Sequence, residues 1–80
     1  MKTYFFIKDL NVVGKEEDYI PYLFDKEEGW KVDNDNILMD RLMGYDDSEE
    51  AGSPYRMGNS DMMSRVDEIT EEEANKLINS

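Results

Sequence analysis

"DLNVVGKEED", Asp9 to Asp18, separates two runs rich in β-forming residues, and its reading sets the number of strands in the sheet. Asn11 and Gly14 are turn formers, and the three carboxylates of Glu16, Glu17 and Asp18 follow directly. The stretch therefore reads as a polar connection with a turn at Gly14. On that reading the flanking runs pair directly with each other. The first, residues 3–8, is apolar on both faces, with Tyr4 and Phe6 on one and Thr3, Phe5 and Ile7 on the other. Such a strand is central or has at least one face fully covered. The second, residues 19–25, alternates Ile20, Tyr22 and Phe24 against Tyr19, Pro21 and Leu23. Proline lacks a ladder N–H, so this strand is expected at an edge, or Pro21 at a bulge. After a turn over Asp25–Gly29, Trp30-Lys31-Val32 supplies a short third strand.

Downstream, helical spacing takes over. Leu38/Leu42 and Met39/Met43 lie four apart with Ile37 beside them, which predicts a helix over 35–43 with Asp40 and Arg41 turned away from the apolar stripe. Asp33 or Asn34 suits its N-cap, and Gly44 suits the left-handed position that closes it. Met62, Met63, Val66 and Ile69 also fit a helical template, so 61–67 reads as a short helix capped by Ser60, with a strand ending at Ile69 as the alternative. Thr70-Glu71-Glu72-Glu73 is a capping box. It opens a helix over 71–78 whose buried stripe is Ala74, Leu77 and Ile78, with Glu72 and Lys76 as an i,i+4 pair. The expected fold is α+β: a two- to three-stranded antiparallel sheet (3–8, 19–25, 30–32) against two or three short helices (35–43, 61–67, 71–78). Residues 1–80 are expected to form one domain with an acidic loop at 45–60.

Composition narrows the chemistry. The chain has 80 residues, no histidine and no cysteine. Ser-His-Asp and Cys-His nucleophile systems cannot be built from it, nor can the usual zinc sites or any disulfide. Asp33-Asn34-Asp35-Asn36 resembles the start of a calcium loop. Leu38, however, stands where glycine is needed and Gly44 where the bidentate glutamate is needed, and helix capping explains the same residues. Glycines do not cluster into a phosphate-binding loop. No carboxylate pair is singled out by spacing for glycoside hydrolysis. The expectation is a non-enzyme with no cofactor and no metal.

The net charge of −11 is unevenly spread. Residues 1–15 carry Lys2, Lys8 and Lys15 against Asp9, and the carboxylate excess begins at Glu16. Such a field disfavours direct binding of nucleic acid or an anionic membrane and favours a partner protein with a basic surface. No apolar run is long enough to span a bilayer, and the N-terminal stretch lacks a signal peptide's long apolar region, so a cytoplasmic location is expected. The candidate contact residues lie in the long stretch after Gly44: Asp46, Asp47, Glu49 and Glu50 at an acidic tip, then Tyr55, Arg56 and Met57 on an arm stiffened by Pro54. The expected function is a non-catalytic acidic interaction domain, in its sharper form an inhibitor that covers a nucleic-acid-binding surface by imitating phosphate charge. The alternative is a small cytoplasmic accessory domain whose acidity serves only solubility, with its contacts made by an uncovered sheet face or edge around Tyr19, Tyr22 and Trp30. Self-association through the second strand or a methionine-bearing helix face fits that alternative.

Overall fold

The computed structural model describes residues 1–45, 52 and 58–80. Their order is β1 (Lys2–Ile7), β2 (Val12–Glu17), β3 (Ile20–Asp25), β4 (Gly29–Val32), α1 (Ile37–Met43), α2 (Ser60–Met63), β5 (Val66–Ile69) and α3 (Glu71–Ile78). The strands form one antiparallel sheet in the order β4-β3-β2-β1-β5. The fold remains α+β, but five strands replace the expected two or three.

Both additional strands come from stretches that local pattern misassigns. Val12–Glu17 is a strand, and Gly14 lies in the middle of it, opposite Phe5 on one side and Leu23 on the other. A Cβ on Gly14 would lie 3.3 Å from Leu38 Cδ2, so this glycine lets α1 approach the sheet rather than turning the chain. The turn falls earlier, over residues 8–11, with Asn11 left-handed at φ 55°. Val66–Ile69 pairs with β1 from Ile7↔Val66 to Tyr4↔Ile69, so the strand alternative holds over 66–69 and the helix stops at Met63. Asn59, rather than Ser60, caps that short helix by accepting from the N–H groups of Asp61 and Met62.

Pro21 is not at an edge, because β3 lies between β2 and β4. Its carbonyl accepts from Asp33 N at 2.9 Å, on the β4 side. The N and C=O of a strand residue point the same way, so the missing N–H faces a position just past the end of β4 and costs the β2 ladder nothing.

Opposed residues in antiparallel strands share a face. One face carries Phe5, Ile7, Leu23 and Val66, and α1 covers it with Leu38, which is fully buried, and with Ile37 and Leu42. The opposite face carries Val13, which is buried, and α3 packs over β1 and β2 there with Ala74 fully buried. Of the expected α3 stripe, Ile78 is half-buried and Leu77 is partly exposed. The expected capping box is present in full at Thr70 and Glu73.

Arg41 does not turn away to solvent. Its side chain is only 12% exposed, and it donates to Asp9 from Nε at 3.0 Å and Nη2 at 2.6 Å, and to the Ile37 carbonyl at 3.0 Å. Asp33 caps α1 from four residues before its first turn. Its two carboxylate oxygens accept from Ile37 N at 3.0 Å and Leu38 N at 2.8 Å.

Candidate interaction surface

The antiparallel register sorts the charges along the strands. At one end lie the start of β1, the β2–β3 turn, the end of β5 and the start of α3. This puts Glu16, Glu17, Asp18, Glu68, Glu71 and Glu73 at the same end of the sheet, with Glu16 and Glu68 on the α1 face and Glu17 on the other. Glu17 pairs with Lys15 at 3.1 Å and Lys2 at 3.9 Å, while Asp18 faces the N-terminal ammonium at 3.4 Å. Glu16, Glu68 and Glu71 have no ion pair among the described residues.

The opposite end is more balanced. Lys8 pairs with Asp67, Lys31 with Glu28, and Arg65 bridges Asp61 and Asp9, which also holds Arg41. The Arg41 guanidinium, by hydrogen bond and charge, holds the Asp9 carboxyl below its ordinary pKa, and Asp9 in return raises Arg41. Asp25 is lowered because it accepts the N–H groups of Glu27 and then Glu28, which shape the β3–β4 turn. Lys31 is raised by its hydrogen bond to Glu28.

Glu16–Asp18 leads into Tyr19, the second residue of the two-residue β2–β3 turn. Asp18 (φ 52°) and Tyr19 (φ 68°) are both left-handed, as a type I′ turn requires. Tyr19, expected inside the second strand, is therefore outside it, and its side chain is 94% exposed. Ile20 beside it is 44% exposed. A shallow hollow of about 310 Å³ next to the ring is lined by Met1, Thr3, Glu16, Asp18 and Tyr19.

Beyond the cover of α3, the second sheet face is aromatic. Val32, Tyr22, Lys15, Tyr4 and Ile69 stand in one cross-strand row, and Phe24 and Trp30 form the next pair. Trp30 lies 5.3 Å from Phe24 edge to face and 6.3 Å from Tyr4. Lys15 Nζ sits 4.6 Å from the Trp30 ring centre and 5.2 Å from that of Tyr22. These rings are half-buried, and the lysine stem covers part of the face beside them.

The sequence-derived contact residues Asp46, Asp47, Glu49, Glu50, Tyr55, Arg56 and Met57 lie outside the described residues. The flanks of their segment are tied together: Gly58 N donates to Met43 O at 3.2 Å, and Asn59 N donates to Gly44 O at 2.9 Å. Tyr45, at the start of this segment, is half-buried and donates its N–H to Asp40 O at 2.7 Å. Of the four helical methionines, Met43 and Met63 are about half exposed, whereas Met39 and Met62 are half-buried.

Sequence reading named Tyr19, with Tyr22 and Trp30, as part of an uncovered sheet face, but placed it inside a strand rather than in the turn, and it missed Ile20 as a surface feature. The available signal was Asp18 at the first position of a two-residue hairpin turn, visible only once Val12–Glu17 is read as a strand. Among the described residues, no group of three or more acidic side chains is arranged to hold a metal ion, and no helix is long and apolar enough to cross a membrane. Comparison of the chain with protein-family models, curated proteins and solved structures found no match.

Proposed function

We propose that this chain is a non-catalytic interaction domain that binds a basic surface of a partner protein through the carboxylate-rich end of its sheet. The supporting observation is the placement of Glu16, Glu17, Asp18, Glu68, Glu71 and Glu73 at one end of the sheet, contributed by β2, the β2–β3 turn, β5 and α3. Carboxylates fixed on strands and on a capped helix meet a partner with less loss of conformational freedom than carboxylates on a free tail. In its sharper form the domain competes with nucleic acid for the partner's basic surface. The test is affinity capture from the native host, followed by a salt series on the purified pair. Binding that weakens steeply as salt rises, and weakens further when Glu16, Asp18, Glu68 and Glu71 are neutralised together, supports the reading. Undiminished binding at high salt refutes it. Displacement of the partner's nucleic acid by the domain tests the sharper form.

A second reading has its own observation. Val32 is 51% exposed on the edge strand β4, next to the aromatic face around Trp30. A second copy pairing along β4 would cover both. Sedimentation showing a dimer that dissociates on Val32→Asp supports self-association, and a monomer at high concentration refutes it.

A further inference from the structure

Tyr19 occupies the second central position of a type I′ turn at φ 68°, where glycine is the unstrained choice. A bulky side chain in the left-handed region brings its Cβ against the following carbonyl oxygen and is strained. The ring offsets none of this strain through packing, because its side chain is 94% exposed. The turn also holds the Tyr19 backbone rigidly, since β2 and β3 are paired up to Glu17↔Ile20 on either side. The result is an outward aromatic group on a fixed backbone, with exposed Ile20 next to it and Glu16 and Asp18 beside it. An apolar anchor inside a charged rim is the anatomy of an interface hot spot.

Resting on the acidic-interaction reading above, we propose that Tyr19, with Ile20, is the anchor of that interface. It inserts into an apolar pocket on a folded partner protein whose rim carries lysine or arginine. Charge complementarity selects this occupant. The hollow beside Tyr19 offers Glu16 and Asp18 to a cationic head group at the pocket rim. A partner with an acidic or neutral rim would leave the carboxylates beside Tyr19 without counter-charge.

The test uses phage-displayed, disulfide-constrained dodecapeptides selected on the full chain, with the winners measured against wild type, Tyr19→Gly, and the pair Glu16→Gln with Asp18→Asn. Winners should combine Arg or Lys with apolar residues and lose at least tenfold in affinity on Tyr19→Gly. In wild type they should perturb the backbone amide resonances of residues 18–20. Tyr19→Gly should unfold at equal or higher urea than wild type, which separates a lost contact from a lost fold. Winners that bind Tyr19→Gly within twofold of wild type overturn the anchor. If those winners still weaken on the paired carboxylate change, the acidic-surface reading survives without it. If neither variant matters, both fall. A Tyr19→Gly variant less stable than wild type also overturns the inference, because the ring would then be contributing to the fold.

Discussion

Replacing Asp33 by alanine should destabilise the domain far more than an exposed carboxylate in a strand-to-helix loop ordinarily would. Asp33 is 6% exposed and accepts two backbone hydrogen bonds at 3.0 and 2.8 Å from the first turn of α1. Loss of an N-cap costs about 0.5–2 kcal/mol, and hydrogen bonds to a charged acceptor are worth about 1.5–3 kcal/mol. Leu38, one of the two donors, is fully buried, so its N–H is poorly placed to find water instead. Relief of carboxylate desolvation offsets part of the loss, leaving about 2–3 kcal/mol. A chain of 80 residues has a total stability of about 4–12 kcal/mol. The variant should therefore melt roughly 10–20 °C lower, at about 4–8 °C per kcal/mol. Urea unfolding followed by Trp30 fluorescence and far-ultraviolet circular dichroism measures the change. Asp33→Asn, which keeps one acceptor oxygen, should lose about half as much. Asp35→Ala, exposed and two residues away, should change stability by less than about 0.5 kcal/mol. A loss below about 0.5 kcal/mol in Asp33→Ala, or an equal loss in Asp35→Ala, would show that α1 is not capped from Asp33.

Further outcomes follow from the same geometry. Gly44→Ala should cost at least about 3 kcal/mol, because φ is 68° and the new Cβ would lie 2.6 Å from Asn59 N; Gly29→Ala, with no atom within 4 Å of its Cβ, should cost about 1–2 kcal/mol in the same urea titration. Asp9→Asn should remove about 1 kcal/mol at pH 7 and flatten the acid limb of the stability profile. Since the folded state lowers the Asp9 pKa, its contribution is fully present above the unfolded value of about 4 and is lost as pH falls through the lower folded value, so wild type and variant should converge below about pH 4. Convergence on the alkaline side instead would refute that assignment. Lys15→Met keeps the stem and removes the ammonium from between Trp30 and Tyr22, and should cost about 1 kcal/mol with a change in Trp30 emission; unchanged emission would mean that the ammonium is not over the ring.

What was legible in the chain was whatever its own neighbours determine. The Thr70–Glu73 box and the helix after it are set by contacts three or four residues long, and the structure has both. The same is true of Gly44 as the left-handed end of α1 and of the apolar run in β1, which proves to be an interior strand between β2 and β5. Failures occurred where a residue's role is set from far along the chain. Gly14 looks like a turn until Leu38 is known to press on it. Lys15 and the acids after it look like a connection until Tyr22 and Trp30 shelter the lysine. Val66–Ile69 scores as helix on spacing, but pairing with β1 satisfies its backbone as a strand. The candidate site behaved likewise: the acids at 46–50 stand out in sequence, whereas the cluster at the sheet end draws on β2, β5 and α3.

By itself, then, the sequence determined the α+β class, the β1 strand, the α3 boundaries, and the absence of histidine and cysteine chemistry. Tertiary structure alone decided the five-strand order, the burial of Arg41 against Asp9, the place of carboxylates from β2, β5 and α3 at one end of the sheet, and the exposure of Tyr19. The division has a physical cause. Helix caps and apolar periodicity are local, while strand pairing and charge proximity depend on backbone groups and side chains as many as 65 residues apart, as in Tyr4↔Ile69.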